Sequence, residues 1–277
     1  MTEQVDTIIV GGGQGGLSTS YYLRQQGCEH VILEQADQAA EVWRNRWDSF
    51  TLNTPNWMTR LPGAEYQGND PDGFMPRDEV VAYFEEYIER FNLPIRFGCR
   101  VTSVAPIEAG YLVSTDEGEF EAANVVIAAG LHQQPKIPPF STNLPAEIRQ
   151  LHSSEYRNPE ALPAGAVLVV GSAQSGCQIA EELYQSGRKV YLSVSSSPRI
   201  PRAIAVKTLP GGWMLSASLT RQWINFHHPK PSSHPARIAR EKMAATRSTC
   251  TNLQGMASCY WVVSTARKRI GSFWPQT

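Results

Sequence analysis

Short apolar runs alternate with segments of helical periodicity over the first 202 residues of the chain. Val5–Val10 is a mostly apolar run of the kind that forms a buried strand, and a helical pattern follows it over 17–26. Gly27 ends the helical pattern, and His30–Leu33 is the next apolar run. The order strand, helix, strand predicts a unit of a parallel α/β sheet.

The same pattern recurs over residues 166–194. There the strand ends at Gly171 and the helix at Gly187, and the first copy has the same interval of 16 residues between Gly11 and Gly27. Two units of matching length arise by chance less readily than one. The sequence therefore predicts a three-layer α/β fold with two Rossmann-type dinucleotide-binding units, the second of which is incomplete.

The region between the two units predicts one helix and several short strands. Residues 77–92 have an apolar face at helical spacing, and Asp78 is the expected N-cap. A proline-rich stretch at 135–145 suits a crossing between domains. The predicted strands are Arg100–Val104, Tyr111–Ser114 and Val125–Ala128.

Gly11, Gly13 and Gly16 form a G-x-G-x-x-G pattern directly after the first strand. Such glycines permit a tight turn, the approach of a pyrophosphate to the backbone, and close packing of helix on strand. The helix start adds free N–H groups and a positive dipole end. Glu34, at the end of the next strand, can accept hydrogen bonds from ribose hydroxyls. A glycine-rich loop without a ligand is the alternative, and the agreement of all these parts disfavours it.

The second copy of the pattern spans Gly171–Gly176, and Ala173 replaces its middle glycine. Where the first copy has its acid, the second has Val194, followed by serines, Arg199 and Arg202. Serine and arginine can bind a 2′-phosphate, whereas an acid would repel it. This difference favours NADP over NAD and makes Arg199 a candidate contact. The alternative, that both arginines are ordinary solvated charges, stays open.

Composition limits the possible partners. The 277 residues suggest about two domains at roughly 150 residues each, and the net charge of −1 gives no reason to expect a nucleic-acid partner. The five cysteines form no C-x-x-C pair, which argues against a disulfide framework, a zinc site or a redox dithiol. The acidic N-terminus does not read as a signal peptide, and no apolar run reaches membrane-spanning length. The expected location is the cytosol.

Residues 1 to about 202 resemble the flavin-containing monooxygenases, in the bacterial group near the Baeyer–Villiger-type enzymes and the plant auxin-synthesis enzymes. The resemblance implies an FAD-binding domain, an inserted NADPH-binding domain, and transfer of one oxygen atom from O2 to a small organic substrate. Besides the paired glycine motifs, the resemblance rests on Trp43-x-x-Arg46 with Asp48, on Ala128-Ala129-Gly130, and on His152-x-x-x-Tyr156.

The resemblance also implies where the cofactors lie. Trp43 would sit beside the flavin, Val101 would meet the adenine through its backbone, and Gly130 would mark the crossing between domains. The other implied FAD contacts are Gly11, Gly13, Gly16 and Glu34. The implied NADP contacts are Gly171, Gln174, Ser175 and Gly176.

Asn53 is the candidate catalytic residue. It matches the position at which some members place an asparagine that faces the flavin and steadies its bound oxygen. Its place shortly before Pro55 also suits an ordinary turn residue, so both interpretations remain open.

Several departures from the family pattern widen the functional prediction. The motif before the second unit retains only His152 and Tyr156 of its usual residues, and Ala129 stands in place of a threonine. These changes favour a flavin oxidoreductase in the broader sense. A flavin disulfide reductase is one alternative, although it needs closely spaced cysteines, and a non-catalytic nucleotide-binding protein with a basic arm is another. The substrate and the oligomeric state are not indicated.

The last 75 residues differ from the rest in charge and in periodicity. Residues 1–202 carry a net charge of −10, whereas residues 203–277 carry +9 and contain four of the seven tryptophans. A basic extension and a nucleic-acid or membrane-surface patch are two interpretations. The third is a frameshift. If the codons of Ala203–Met214 are read from the third base of each preceding codon, permitted synonyms give Y-R-G-K-D-I-A-W-W-L-D, which resembles the family's continuation.

A frameshift near Arg202 predicts three parts. They are an FAD-binding domain at 1–150, the start of an incomplete NADP-binding domain at 151–202, and an aberrant, poorly ordered basic tail at 203–277. We expect such a chain to be truncated relative to the family, with impaired activity and weak flavin binding, because the segments that complete both domains are replaced.

Overall fold

A computed structural model describes most of the chain up to Val194 and the backbone of three short strands beyond it. Arg199 and most of the 203–277 segment, for which a phosphate contact and an aberrant tail are predicted, lie outside the described residues. The described residues are 2–130, 134–194, 200–201, 248–249 and 260–264.

The chain divides into two compact units. The first comprises residues 1–46 and 50–134, and the second comprises residues 47–49 and 135–277. The elements of the first unit are β1 (Glu3–Val10), α1 (Gln14–Gln25), β2 (His30–Leu33), α2 (Glu41–Arg44), β3 (Arg60–Leu61), β4 (Ala64–Glu65), α3 (Arg77–Phe91), β5 (Ile95–Arg96), β6 (Val101–Ile107), β7 (Gly110–Thr115) and β8 (Glu119–Ile127). Those of the second are β9 (Ile148–His152), β10 (Ala166–Val170), α4 (Gln174–Gln185), β11 (Val190–Ser193), β12 (Ile200–Pro201), β13 (Ser248–Thr249) and β14 (Tyr260–Ser264).

The sheet of the first unit has the strand order β5-β2-β1-β8-β7-β6. The pairs β5–β2, β2–β1 and β1–β8 are parallel, and the strand–helix–strand pattern predicted the β2–β1 pair. Alternate residues of β1 pack on opposite faces of the sheet. Ile9 joins a buried cluster that contains Leu17 of α1 and Phe84 of α3. Ile8 joins a second cluster with Val113 of β7.

The predicted strands after α3 all exist, but the last one is longer than expected. We expected a strand at Val125–Ala128, whereas β8 begins at Glu119. Its first half pairs antiparallel with β7, and its whole length pairs parallel with β1. The first half alternates acidic residues with the buried Phe120 and Ala122, so it gives no continuous apolar run, and the sequence pattern indicated only the apolar segment that starts at Val125.

Helix α3 was predicted almost to the residue, but its N-cap was not. Pro76, in an extended conformation, is the N-cap, and Asp78 lies in the first turn. An acid in the first turn still favours the helix dipole. Two tyrosines of α3 hold the β3–β4 hairpin: the Tyr83 hydroxyl accepts from the Leu61 N–H at 2.7 Å and donates to the Ala64 carbonyl at 2.5 Å. The Tyr87 hydroxyl donates to the Pro62 carbonyl at 2.8 Å.

The second unit contains a sheet with the strand order β11-β10-β14-β9. Strands β10 and β11 are parallel, as predicted, and Ile179 and Leu183 of α4 are fully buried. The backbone of β14 pairs antiparallel with β10 and with β9. Neither β9 nor β14 follows from the pattern of apolar residues along the chain. Among the described residues, no helix is both long and apolar enough to cross a membrane.

Candidate functional site

The first glycine turn has the geometry that its sequence predicts. Gly11 has φ +107°, and its N–H donates to the Leu33 carbonyl at 2.8 Å. A Cβ at Gly11 would lie 2.6 Å from the Ala128 carbonyl oxygen, and one at Gly16 would lie 1.9 Å from the Gly11 carbonyl oxygen. The backbone therefore requires glycine at both positions, which ties β1, α1 and β8 closely together.

Gly13, unlike Gly11 and Gly16, is not required to be glycine by close backbone contacts. It is the N-cap of α1 in an extended conformation, with φ −81° and ψ −171°. A Cβ there would meet nothing within 4 Å, so Gly13 borders open space in front of the helix. No side chain of the described residues caps this helix start, and its first turn contains no acid. The N–H groups and the positive dipole end are thus placed for an anion such as a pyrophosphate.

Glu34 follows β2 and is fixed by two backbone donors. Its Oε2 accepts from the Gly12 N–H at 2.6 Å, and its Oε1 accepts from the Ala36 N–H at 2.9 Å. Each carboxylate oxygen can accept a further hydrogen bond. The carboxylate is therefore oriented beside the glycine turn and can still receive ribose hydroxyls. Gly12 was not predicted as a site residue, although a Cβ there would lie 3.2 Å from Glu34 Oε2.

The second glycine turn repeats the first. Gly171 has φ +106°, and its N–H donates to the Ser193 carbonyl at 3.1 Å. Ala173 is the N-cap of α4, with φ −74° and ψ −178°, and again no described side chain caps the helix. Gln174, Ser175 and Gly176 form the first turn, and Gly176 is buried. Val194, in place of the acid, is 48% exposed.

Trp43 lies in α2 within an aromatic group. Its ring centroid is 5.7 Å from that of Phe50 and 6.5 Å from that of Phe84. Trp43 also packs against the buried cluster that contains Ile9 and Leu17, which lie on either side of the glycine turn. The structure thus places Trp43 on the same core as the predicted phosphate site.

Asn53 lies half-buried on a segment that is hydrogen-bonded to a neighbouring loop. The Leu52 N–H donates to the Met75 carbonyl, and the Asn56 N–H donates to the Gly73 carbonyl, both at 2.9 Å. These bonds on either side fix the backbone around Asn53. Leu52, the residue before Asn53, packs on the same core cluster as Trp43.

Val101 and Gly130 are placed differently. Val101 begins β6 and packs against the other cluster, which contains Ile8 and Val31. Gly130 follows the end of β8, is exposed, and has φ +80°. The two clusters lie on opposite faces of the sheet, so Val101 and Trp43 do not share one core.

The His152-x-x-x-Tyr156 motif has a structural basis in the second unit. Tyr156 is almost fully buried, and its hydroxyl donates to Glu182 Oε2 on α4 at 2.7 Å. Burial, more than any other effect, raises the pKa of both the Tyr156 hydroxyl and the Glu182 carboxyl. His152 contacts the Ser154 hydroxyl through Nδ1 at 2.8 Å. Glu182 was not singled out from the sequence, because nothing local relates it to Tyr156.

Comparison with known proteins places this fold among the flavin oxidoreductases. A CzcO-like oxidoreductase of Geobacillus kaustophilus is 42% identical over 194 residues, covering 70% of this chain and 55% of its own length. An indole-3-pyruvate monooxygenase of Oryza sativa is 30% identical over 197 residues, covering 70% of this chain and 48% of its own length. A flavin monooxygenase from Stenotrophomonas maltophilia superposes with a TM-score of 0.66 at 27% identity, covering 78% of this chain and 64% of that one.

The chain spans about half the length of the curated relatives that it matches. The family model for pyridine nucleotide-disulphide oxidoreductases matches residues 8–208, which include both glycine turns. The resemblance predicted from the motifs is confirmed: the chain belongs to the pyridine nucleotide-disulphide oxidoreductase family, and it is similar to flavin monooxygenases.

Proposed function

We propose that the first unit binds FAD, that the second binds NADP, and that the activity is that of a monooxygenase acting on a small organic substrate. The observation that carries this proposal is the repetition of one turn in two units. Gly11 and Gly171 have φ values of +107° and +106°, and each donates its N–H to the last residue of the neighbouring parallel strand. Each turn leads into a helix whose start no side chain of the described ranges caps.

The residues of the first unit fit FAD. The open space at Gly13 and the uncapped start of α1 suit a pyrophosphate, and the fixed carboxylate of Glu34 suits ribose hydroxyls. When bound, FAD would supply the redox chemistry by taking a hydride from NADPH and reacting with O2. The part of the chain is to bind and orient the cofactor. Within that role, Trp43 and Asn53 are proposed to face the flavin.

The second unit fits a nicotinamide dinucleotide with one modification. Gly171, Gln174, Ser175 and Gly176 would hold the pyrophosphate, while the methyl group of Ala173 occupies the position that Gly13 leaves open in the first unit. No carboxylate follows β11 at Val194. Since an acid there would select against a 2′-phosphate, its replacement supports NADP.

A disulfide reductase is the second candidate, and the cysteines disfavour it. Among the described residues, Cys99 and Cys177 are buried, and Cys28 is half-buried. The sequence contains no closely spaced pair. A reductase of this kind needs two thiols that can form a disulfide, and that requires Cα atoms within about 7 Å. The monooxygenase assignment is therefore the better supported of the two.

Thermal unfolding with FAD tests the proposal. A ligand that binds only the folded state raises the Tm with its concentration. Gly13→Ala should leave the Tm of the free protein unchanged, because its Cβ meets nothing within 4 Å, and should greatly reduce the rise with FAD. Gly15→Ala is the matched control, since its Cβ would make only an ordinary contact of 3.8 Å with Ala128. Equal FAD responses of both variants would contradict the proposed site.

We further propose that residues 203–277 replace the family's continuation and weaken flavin binding. The family match ends at residue 208, close to the predicted frameshift. Purified protein should therefore lose flavin on gel filtration while still gaining stability in excess FAD. Retention of one flavin per chain through gel filtration would contradict this expectation.

A further inference from the structure

Arg46 is a cation in an aromatic setting. Its guanidinium carbon lies 5.9 Å from the ring centroid of Trp43 and 5.9 Å from that of Phe50. Its Nε is buried and has no hydrogen-bond partner within the described part of the chain. Removal from water lowers the pKa of the guanidinium, although an arginine still keeps its charge. The partly desolvated environment of Arg46 therefore disfavours the positive charge, yet the guanidinium stays protonated.

Neighbouring arginines differ from Arg46 because they have acidic partners. Arg44 forms an ion pair with Glu85, and Arg77 forms one with Asp78. No carboxylate in the ranges 2–130 and 134–194 forms an ion pair with Arg46. Arg46 is partly buried, and a charge held partly out of water without an oppositely charged partner is costly.

The setting of Arg46 indicates what kind of anion would pair with it. A guanidinium offers a planar fork of donors that matches phosphate and carboxylate oxygens, and it stacks on aromatic rings. Trp43, which holds Arg46, packs on the same core cluster as the residues on either side of the first glycine turn. The unpaired cation therefore belongs to the unit that carries the proposed FAD site.

We propose that Arg46 is an oxyanion-binding residue and that its ligand is a phosphate group of the flavin dinucleotide. This inference rests on the proposed binding of FAD to the first unit. A small aromatic carboxylate has the same oxyanion chemistry, and the rings of Trp43 and Phe50 would also suit it. The two kinds of ligand can be distinguished with simple probes. Inorganic pyrophosphate offers only phosphate oxygens, and benzoate offers only an aromatic carboxylate.

The test compares Arg46→Met with Arg44→Met. Each variant removes one positive charge from the same region, but the charge of Arg44 already has a partner in Glu85. Thermal unfolding is measured without added anion and with FAD, inorganic pyrophosphate or benzoate. Without an anion, Arg46→Met should unfold close to the wild-type temperature, since the substitution removes a partly buried charge together with its cation–π contacts to Trp43 and Phe50.

With FAD, Arg46→Met should bind about tenfold more weakly or worse, as expected for the loss of a charge-assisted hydrogen bond. Arg44→Met should bind as the wild type does. Pyrophosphate should raise the Tm of the wild type more than that of Arg46→Met. A difference seen with benzoate alone would overturn the assignment to the dinucleotide.

Equal responses of the wild type and Arg46→Met to all three anions would overturn the inference, and so would a clear fall in Tm of Arg46→Met without an anion. Failure of the proposed function gives a different result. If FAD stabilises neither protein while pyrophosphate still distinguishes them, the FAD assignment fails and the role of Arg46 in binding an oxyanion stands.

Discussion

The Gly12 N–H donates to Oε2 of Glu34 at 2.6 Å, and this bond joins the glycine turn to the acid 22 residues later. The turn orients the carboxylate before any ligand is present. Such pre-orientation reduces the ordering that binding would otherwise require. The proposed ribose site thus combines the Gly12 N–H with the Glu34 carboxylate, two groups that lie far apart in the sequence.

Glu34→Gln should weaken FAD binding about tenfold. The amide keeps one acceptor oxygen, so it cannot accept from Gly12 and Ala36 at once and loses the charge that strengthens bonds to ribose hydroxyls. The dissociation constant can be measured by quenching of flavin fluorescence. Glu29→Gln, an exposed change that also removes one negative charge, is the control. An unchanged constant for Glu34→Gln would remove this residue from the site.

Gly16→Ala should destabilise the fold, in contrast to Gly13→Ala. The new Cβ would lie 1.9 Å from the Gly11 carbonyl oxygen, so the turn or the helix has to move. A cost of about 1–3 kcal/mol or more is expected for such overpacking. Urea unfolding of both variants checks the difference. Similar stabilities would show that helix and turn separate more easily than the backbone contact implies.

Glu182 should make stability depend on pH in the second unit. Burial raises the folded-state pKa of its carboxyl above the ordinary value of 4.5, so the neutral form is favoured in the folded chain. Its contribution is fully present below about pH 4.5 and is lost as the pH rises through the raised pKa. Glu182→Gln should flatten this part of a Tm-against-pH curve. Glu181→Gln removes a carboxylate from the same helix but not the acceptor of the Tyr156 hydroxyl, and it is the matched control.

Ser20→Ala should destabilise the first unit by about 1–3 kcal/mol, because it leaves a buried ring nitrogen without its partner. The Ser20 hydroxyl lies 2.7 Å from Nε2 of His30, and both side chains are buried. The other ring nitrogen of His30 lies 2.9 Å from the Cys28 carbonyl oxygen. Urea unfolding measures the change. Ser18→Ala, at a half-buried position of the same helix where the hydroxyl donates to the Gln14 carbonyl, should cost much less.

The nucleotide sequence across codons 195–280 tests the frameshift. We expect a shifted frame that stays open and encodes the family's continuation from about Arg202. Hydrogen exchange offers an independent check on the protein. Protection of residues 203–277 equal to that of residues 1–130 would contradict the predicted aberrant tail.

The sequence predicted those features that follow from local backbone requirements. Gly11 and Gly171 could be identified because a tight turn with positive φ between strand and helix allows few other residues. Strands β9 and β14 could not be predicted in this way, since their pairing joins segments that lie more than 100 residues apart in the sequence. The prediction of Asp78 as the N-cap of α3 was wrong. An acid is favoured both at the N-cap and in the first turn of a helix, so its presence in the sequence does not distinguish the two positions. The roles assigned to Trp43, Asn53 and Val101 stay predictions.

The hairpin that Tyr83 and Tyr87 hold has a consequence for the order of folding. Strands β3 and β4 contain two residues each, too few for a hairpin to persist alone in water. The Leu61 N–H donates to the Tyr83 hydroxyl, a group that arrives only when α3 docks. Protection of the Leu61 amide from hydrogen exchange during refolding would therefore report when α3 docks. Tyr83→Phe would remove the acceptor and abolish this protection while leaving the helix itself intact.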